Sequence, residues 1–404
     1  MDLQAYQGTQ IVIVGAGICG LSSALALHRK GIRSLVLESA ESLRANGAGI
    51  AVLTNGWRAL DQLGVGSKLR KTAIPLQGVV DISVETGKQR RSPVSKGEAR
   101  CIKRSDLIRT LAEELPAGTV RFGCQVLSVK TDTSTSFPIL QLGDGSYIEA
   151  KVLIGCDGTN SVVTKFLKLN PRKIFPCYAV RGFTYYPEGH GLAPELVRLR
   201  TEQLYLGRTP VNDKLVFWFV VSQGYPRDAN TAKDPEIIRQ LTPKTIVGCP
   251  KEIVELVMKS DLDSLSLTHL RYTPPWDIIF GRFRKGTVAV AGDAMHVMVP
   301  FIGQGGSAGI EDAVVLARCL TKGLNEYDSI KSGREMLMQK LVGEALDEYV
   351  EERRMRLLWL SIQAYLIGCL QTTSSKLLKL IVLILMAVLF PDPTRSTGYD
   401  CGKL

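Results

Sequence analysis

Residues 11–38 carry the hydrophobic pattern of a strand, a helix and a second strand. The apolar run Ile11–Val14 precedes a glycine turn, and a helical pattern follows over Ile18–Lys30 until Gly31 stops it. A second apolar run, Ser34–Glu38, ends on a carboxylate. Uninterrupted apolar runs on both sides of a helix are typical of buried parallel strands. The pattern therefore predicts a βαβ unit at the start of the fold.

The middle of the chain has a different period. From about Phe175 to Tyr272 the segments are short, aromatic and strand-like, as in Val180–Tyr186 and Leu215–Val221. A helical interruption lies around Pro235–Lys259. Alternating apolar positions place every second side chain on one face of a sheet. This part of the chain therefore predicts an antiparallel sheet.

Apolar strands flank that region. The run Val152–Gly155 precedes it, and Thr287–Ala291 follows it and leads through a glycine-rich turn into a helical pattern over about Gly306–Leu320. A shorter helix is predicted near Ser105–Leu115, and the residues after Leu320 are almost entirely helical in pattern. The order of elements predicts an α/β fold with a second, interleaved sheet and C-terminal helices.

The turn after the first predicted strand reads Gly15-Ala16-Gly17-Ile18-Cys19-Gly20. In such a turn the first glycine permits the bend, the second lets the backbone approach a pyrophosphate, and the third lets the helix pack closely. The helix N-terminus supplies unpaired N–H groups and partial positive charge. Glu38 ends the next strand, where a carboxylate can accept hydrogen bonds from both hydroxyls of a ribose. The motif and Glu38 predict a dinucleotide site and do not distinguish NAD from FAD.

Two further motifs make that distinction. Val152–Gly158 ends in Asp-Gly, and Val288–His296 contains Gly292-Asp293 and is followed by Pro300–Gly306 and Ile310–Ala313. The order and spacing of the three motifs resemble the class A flavin-dependent aromatic hydroxylases, the fold group of para-hydroxybenzoate hydroxylase. Within that group the chain is most similar to plant monooxygenases resembling salicylate hydroxylase and zeaxanthin epoxidase. The resemblance covers about Gln10–Leu320.

The resemblance implies a Rossmann-like domain that holds FAD non-covalently. It assigns the flavin ribityl chain to Asp293, and the pyrophosphate and flavin to a helix start at Gly303, Gly305 and Gly306. It also implies roles beside the cofactors for four further residues: Asp157, Gly158, Arg44 and Arg104. The residues themselves leave alternatives open, since the Asp-Gly pair could be a structural turn and either arginine a surface residue.

Two features of the motifs need separate interpretation. Relatives usually follow Asp-Gly with a serine and then an arginine three positions on, whereas Ser161 is followed here by Thr164 and Lys165. A lysine can replace the charge of the arginine but not its bidentate geometry, which puts the details of nicotinamide recognition in question. His296 fits either a structural or a catalytic interpretation. No motif surrounds the remaining histidines, which are His28, His190 and His269. The sequence therefore predicts no metal site.

The activity implied by the resemblance is monooxygenation. NADPH or NADH would reduce FAD, oxygen would add to the flavin, and the resulting C4a-hydroperoxide would hydroxylate or epoxidise a small aromatic or terpenoid-like molecule of plant secondary metabolism. Two alternatives share the scaffold, namely a flavoprotein reductase, oxidase or halogenase, and a non-catalytic FAD-binding protein. The sequence does not identify the substrate.

Candidate substrate contacts come from two places. By resemblance, Pro300 and Phe301 lie over the flavin. The opposite wall is expected from alternating positions of the predicted sheet, with Arg181 as an anchor for a substrate carboxylate or phenolate. The sheet candidates are Arg181, Phe183, Tyr185, Phe217 and Phe219. The alternative is that these aromatic side chains only fill the core or cover the surface.

These assignments divide the 404 residues into three parts. The sequence predicts a discontinuous FAD-binding domain (1–174 and 273–330), a substrate-binding sheet domain (175–272) and a C-terminal helical segment (331–404). The net charge of +11 is scattered and accompanies no nucleic-acid motif, so it suits an anionic cofactor or substrate better. Nine cysteines without a close pair indicate a reducing compartment, and the first residues resemble no targeting peptide. We expect a cytoplasmic protein.

The C-terminal part contains an apolar run from Leu380 to Phe390, preceded by Lys376 and Lys379 and ended by Pro391. The run is too short to cross a bilayer, which needs roughly 20 apolar residues. Two interpretations remain. The helix either closes the substrate lobe as a buried or amphipathic element, which the helical ends of related enzymes favour, or residues 376–390 make weak contact with a membrane surface.

Overall fold

The computed structural model describes residues 11–43, 47–94, 96–201, 204–223, 234–330, 335–392 and 394–404. The strands are β1 (Ile11–Val14), β2 (Ser34–Leu37), β3 (Gly49–Val52), β4 (Gly78–Ser83), β5 (Gln89–Ser92), β6 (Arg100–Lys103), β7 (Val120–Arg121), β8 (Val126–Thr131), β9 (Pro138–Leu142), β10 (Tyr147–Glu149), β11 (Val152–Gly155), β12 (Lys173–Tyr185), β13 (Glu195–Arg200), β14 (Leu204–Asn212), β15 (Leu215–Gln223), β16 (Ser266–Tyr272), β17 (Arg284–Lys285) and β18 (Val288–Val290).

Helices make up most of the remaining structure. They are α1 (Ile18–Arg29), α2 (Thr54–Gln62), α3 (Gly66–Arg70), α4 (Arg104–Glu113), α5 (Val162–Phe166), α6 (Pro235–Thr245), α7 (Lys251–Met258), α8 (Pro275–Phe280), α9 (Asp293–His296), α10 (Gly305–Ile330), α11 (Glu335–Thr372) and α12 (Lys376–Leu389). The predicted α/β fold class is confirmed.

The first sheet is the Rossmann-like part of the fold. Its strand order is β17-β18-β11-β1-β2-β7, and β1 pairs in parallel with both β2 and β11. Every residue of β1 and β11 is buried, which explains why both read as unbroken apolar runs. The three sequence motifs follow β1, β11 and β18, which are neighbours in this sheet. The carboxyl ends of parallel strands lie at one edge, so the motifs meet there.

The second sheet is larger and mostly antiparallel, in the order β16-β12-β15-β14-β13-β4-β5. The strands predicted at Val180–Tyr186 and Leu215–Val221 lie within β12 and β15, and Arg181 pairs with Phe219. Two strands, β4 and β5, come from residues that the sequence assigns to the FAD-binding domain. They extend the sheet beyond the range 175–272, and the domain bounds themselves stay a prediction.

Successive side chains of β15 point to opposite faces of the second sheet, and the two faces have different neighbours. Val216, Trp218 and Val220 belong to a small core together with residues of α6 and α7. Phe217 and Val221 belong to the main core on the opposite face, where the Rossmann-like part lies. This alternation leaves one aromatic face of the sheet pointing toward the edge at which the sequence motifs meet.

The C-terminal helix α12 is largely exposed, so its interpretation as a buried helix is wrong. Val382 is its one buried residue among those described. Leu377, Leu383 and Val388 are 68%, 54% and 70% exposed. The helix packs along α11 on one side only, so most of its apolar surface has no protein neighbour. Within the described ranges, every helix is too short or too polar to cross a membrane.

Candidate functional site

The three glycines of the turn after β1 have two different surroundings. Two lie in close backbone contacts, and one borders open space. Gly15 has φ +98°, and a Cβ atom there would lie 2.6 Å from the carbonyl oxygen of Cys156. A Cβ at Gly20 would lie 1.9 Å from the carbonyl oxygen of Gly15. A Cβ at Gly17 would meet nothing within 4 Å. Gly15 and Gly20 therefore let the backbone pack, while Gly17 keeps open a space in front of α1.

The N-terminus of α1 points its unpaired N–H groups at that space. Gly17 is the cap residue, no side chain caps the helix, and its first turn has no acidic residue. These features favour an anion at this end of the helix, since the N–H groups need acceptors and the helix dipole is positive here. The helix α10 likewise begins at Gly305, with no acidic residue in its first turn.

Glu38 holds the same turn in place. One of its carboxylate oxygens accepts a hydrogen bond of 2.8 Å from the backbone N–H of Ala16, and the other accepts one of 2.9 Å from the N–H of Ala40. The side chain is buried at the end of β2. Glu38 therefore positions the glycine turn, and its predicted role toward a ribose stays a prediction.

A cavity of about 630 Å³ runs from the glycine turn to the second sheet. Gly17 and Ile18 form one end of it. Residues 49–51 of β3, Asp293 and the turn before α10 form its middle, and aromatic residues of the second sheet form the other end. The cavity therefore connects the meeting point of the three motifs with the aromatic sheet face.

Most of the predicted cofactor residues lie on this cavity. Its lining includes Gly17, Ile18, Arg104, Gly158, Asp293, Gly303, Gly305 and Gly306. Asp293 is exposed at the start of α9, so its carboxylate can accept hydrogen bonds from a ligand. Gly303 has φ +62°, a left-handed conformation that suits glycine and turns the chain into α10. Arg44 lies outside the described residues.

Asp157 has a structural role that the sequence left open. One carboxylate oxygen accepts a hydrogen bond of 2.7 Å from the backbone N–H of Val162, the first residue of the short helix α5. Burial raises the pKa of Asp157. Ser161 caps the same helix by accepting a hydrogen bond from the N–H of Thr164. Lys165, the residue that departs from the resemblance, is exposed on this helix.

His296 lies behind the cavity in a buried ionic network. Its Nε2 is 2.6 Å from a carboxylate oxygen of Asp312, and neither side chain is exposed to solvent. Asp312 also accepts hydrogen bonds from the backbone N–H of Gly292 and from Nε of Arg353. Burial would raise the pKa of Asp312, but His296, Arg353 and these hydrogen bonds hold it well below its usual value. The geometry gives His296 a structural position.

The network continues to the glycine turn before α10. Glu311 accepts hydrogen bonds from the buried side chains of Arg353 and Asn55 and from the partly buried Arg356. The amide of Asn55 also donates to the side-chain oxygen of Gln304, at 2.8 Å. Gln304 stands between Gly303 and Gly305, so the network fixes the turn that faces the cavity. One sequence feature could have indicated this network, namely the acidic pair Glu311 and Asp312 inside an apolar helix.

The aromatic end of the cavity contains most, but not all, of the predicted substrate contacts. Arg181, Phe217, Phe219, Pro300 and Phe301 line it. Nη1 of Arg181 donates a hydrogen bond of 3.2 Å to the hydroxyl of Thr268, and burial lowers the pKa of Arg181.

Tyr185 and Phe183 are placed differently from the prediction. Tyr185 is 57% exposed at the end of β12, where it lines a separate depression beside Lys103. Phe183 is buried against Phe217, with ring centroids 5.5 Å apart, and does not line the cavity. Alternation put these residues on the correct face, but β12 extends beyond the edge of the cavity, so only Arg181 reaches it.

Several lining residues were not predicted. Tyr205 stacks its ring near those of Phe219 and Phe301, at centroid distances of 5.4 Å and 5.6 Å. Arg198 lines the wall and is held by two hydrogen bonds to Asp81. The alternating pattern of β14 was a usable signal for Tyr205. The signal for Arg198 was weak, because its partner lies in a strand more than a hundred residues earlier.

The comparisons with known proteins identify the family. A sequence model described as FAD binding domain matches residues 8–355. Monooxygenase 1 of Arabidopsis thaliana is 52% identical over 400 residues, which are 98% of this chain and 99% of that protein. The chain belongs to the family of FAD-dependent monooxygenases. This flavin monooxygenase is also 36% identical to Monooxygenase 2 of Arabidopsis thaliana over 402 residues, 98% of each chain.

Solved structures agree on the fold of this FAD-dependent monooxygenase. Klebsiella pneumoniae HpxO, solved in complex with FAD and uric acid, superposes with a TM-score of 0.79 over 99% of this chain and 100% of that chain. Its sequence identity is 23%, so this likeness concerns the fold alone. The FAD-dependent urate hydroxylase of Klebsiella pneumoniae is 27% identical over 339 residues, 80% of this chain and 86% of that protein.

The cavity of this monooxygenase fits its cofactor. The phosphates of a dinucleotide accept hydrogen bonds and need N–H donors and room beside the glycines, and the structure offers both at the helix N-termini at Gly17 and Gly305. Beyond Gly17, a Cβ at Gly305 would meet only the side chain of Met298, at 3.9 Å. Asp293 and Arg104 border the same space with a carboxylate and a guanidinium group. The residues that could hold FAD and the aromatic residues of the second sheet therefore line one cavity.

Proposed function

We propose that this monooxygenase takes electrons from NADPH or NADH and transfers one atom of O2 to a small aromatic or terpenoid-like molecule. The observation that carries the proposal is the continuity of the cavity. It runs from the helix N-termini at Gly17 and Gly305 to the aromatic residues Tyr205, Phe217 and Phe219. A substrate in the aromatic end would therefore share one enclosed space with the cofactor.

FAD supplies the electron transfer and the activation of oxygen when it is bound, and the protein supplies binding, orientation and exclusion of water. The N–H groups at the starts of α1 and α10 bind phosphate oxygens, and Asp293 accepts hydrogen bonds from hydroxyl groups of the cofactor. The network through Asn55 and Gln304 keeps the second of these helix starts in position.

The aromatic end of the cavity orients the substrate and keeps water out. Phe217, Phe219, Tyr205 and Phe301 present flat apolar surfaces that suit a ring or an isoprenoid chain. We propose that Arg181 contacts the substrate. A substrate carboxylate or phenolate would offset the cost of burying the positive charge of this side chain. The urate hydroxylase activity named for the relative with 27% identity is consistent with a planar, acidic substrate class.

The test is turnover of the purified FAD enzyme with 18O2 and a panel of aromatic acids, phenols and terpenoids. NADPH and NADH are supplied in turn, and product mass, nicotinamide oxidation and hydrogen peroxide are measured together. Incorporation of one labelled atom per nicotinamide oxidised supports the proposal. Flavin reduction with peroxide as the sole oxygen product would identify an oxidase, and no reduction by either nicotinamide would reject the proposed donor.

We propose small-molecule substrate and O2 as the reaction partners, no nucleic-acid partner, and a cytoplasmic location. The contact of residues 376–390 with a membrane surface stays a proposal as well, and its support comes from the exposure of α12.

A further inference from the structure

The helix α12 exposes apolar side chains on every side except the one that packs on α11. The apolar residues of α12 that are at least 39% exposed are Leu377, Leu378, Leu380, Ile381, Leu383, Ile384, Leu385, Val388 and Leu389. Successive helical residues are 100° apart, so this set leaves no polar face. A single protein partner would cover one stripe of such a helix, whereas lipid chains can cover all of the surface that α11 leaves open.

The length of α12 excludes crossing and suits an orientation within the membrane surface. Fourteen residues span about 21 Å at 1.5 Å per residue, against about 30 Å for the hydrocarbon core of a bilayer. Helices that lie in the interface bury their apolar side to a depth of roughly 5–10 Å.

Charge specifies the kind of membrane. Lys376 and Lys379 lie in the first turn of α12, and α12 contains no acidic residue. The chain as a whole carries a net charge of +11. Lysine side chains at the end of an apolar helix reach the headgroup region, and anionic lipids attract a basic surface.

The segments on both sides of α12 belong to the cavity wall. Gln363 and Ile367 of α11 line the cavity before α12, and Thr394 and Ser396 line it after α12. The helix is fixed to this wall, because Phe390 packs against Trp359 of α11 with ring centroids 5.9 Å apart. Just beyond, Asp392 forms an ion pair of 2.5 Å with Lys96. A surface that binds α12 is therefore brought against this side of the cavity.

We infer that α12 lies in the surface of an anionic bilayer and holds the cavity wall formed by α11 and residues 394–397 against the lipid. The partner is the lipid surface itself, which needs no binding groove. The inference concerns the folded FAD enzyme and does not depend on the reaction proposed above, because contact with lipid is measured without turnover.

The first experiment uses the purified FAD enzyme and vesicles of phosphatidylcholine, with and without phosphatidylserine. The absorbance of FAD in the vesicle pellet measures binding. We expect co-sedimentation with the phosphatidylserine vesicles and, for Leu383→Glu combined with Val388→Glu, a loss of roughly tenfold or more, because two charges would enter the apolar layer. The matched control is Met336→Glu on α11, a residue that is 80% exposed. It is expected to bind as the unchanged enzyme does.

The second experiment uses Trp359, which is 44% exposed beside the end of α12. Lipids brominated along their acyl chains quench tryptophan fluorescence only at close range. Quenching that disappears in Trp359→Phe would place this end of α11 at the bilayer, as inferred. Co-sedimentation without quenching of Trp359 would overturn the orientation.

Two other results would overturn the inference. One is the absence of co-sedimentation, or equal binding by the double glutamate variant. The other is a dimer in solution that the double glutamate variant converts to a monomer while neither binds vesicles, since α12 would then be covered by a second copy. An enzyme that binds vesicles but transfers no oxygen would contradict only the proposed function.

Discussion

His296 and Asp312 form a buried pair, with Nε2 of the imidazole 2.6 Å from the carboxylate, directly behind the turn that presents Asp293 to the cavity. Asp312 also accepts the N–H of Gly292, the residue before Asp293. Through this bond the buried pair determines where the exposed carboxylate stands. The pair is thus a structural support for the turn that carries Asp293.

Replacing Asp312 by Asn is expected to lower the free energy of unfolding by about 3–5 kcal/mol, because Arg353 would keep a buried charge with one carboxylate fewer. Urea unfolding of the FAD-free protein measures the loss. Asp347→Asn is the matched control, since Asp347 pairs with Arg284 at a half-exposed position and should cost no more than about 1 kcal/mol. Equal losses in both variants would contradict the special position of Asp312.

The same carboxylate predicts a pH dependence. The pKa of Asp312 in the folded protein lies below its ordinary value of 3.8, so its contribution to stability is complete above that value. It is lost as the pH falls through the folded-state pKa. The difference in unfolding free energy between the unchanged protein and Asp312→Asn should therefore be constant near neutral pH and shrink below about pH 4. If the difference in unfolding free energy grew on acidification, the pKa of Asp312 would not be lowered in the folded protein.

Gly17→Val should fold and lose FAD, because its Cβ would meet no protein atom within 4 Å while its side chain would occupy the space in front of α1. Circular dichroism and the ratio of flavin to protein absorbance are the measurements. Gly20→Val provides the contrast, since its Cβ would collide with the backbone of Gly15 and should prevent the βαβ unit from packing. A folded Gly17→Val protein with its full complement of FAD would remove the pyrophosphate from this turn.

Asp293→Ala should weaken FAD binding by roughly 1–3 kcal/mol, the cost of leaving hydrogen-bond donors of the cofactor unpaired. Stability of the FAD-free protein should change little, because Asp293 is exposed toward the cavity. Titration of the FAD-free protein with FAD, followed by flavin fluorescence, gives the affinity. An unchanged affinity would show that the ribityl chain lies elsewhere.

Arg181→Ala should raise KM for an anionic substrate by roughly 10- to 100-fold, the size expected for a charge-assisted hydrogen bond, and should leave FAD binding unchanged. Arg181→Lys should recover part of this loss. Tyr185→Phe is the control, because Tyr185 stands outside the cavity. Loss of FAD as the main effect of Arg181→Ala would assign the arginine to the cofactor site instead.

The sequence predicted the parts of the fold that depend on local pattern. The unbroken apolar runs of β1, β11 and β15 identified strands of the two sheets, because a strand buried on both faces reads as a continuous apolar run. The glycines of the first turn could be predicted because Gly15 and Gly20 are required by close backbone contacts and Gly17 borders the open space in front of α1. These features need no knowledge of distant residues.

Other features depend on residues far apart in the chain. Arg353 contacts Asp312 only because α11 packs along α10. No local sequence pattern predicts which arginine will be buried. Phe183 and Tyr185 share a sheet face with Arg181, but alternation does not say where along β12 the cavity ends. The exposure of α12 could not be predicted either. An apolar run alone is equally typical of a buried helix and of a lipid-facing surface.

The cavity wall contains residues from Gly17 to Thr397. Protein synthesis proceeds from the amino end, so the ribosome makes the pyrophosphate turn long before it makes Thr394 and Ser396, which complete the wall. A nascent chain can thus present its glycine turn while the chamber is still open on the side of α11. The cavity wall is therefore complete only after residues 394–397 have been made, although the glycine turn comes from the first residues of the fold.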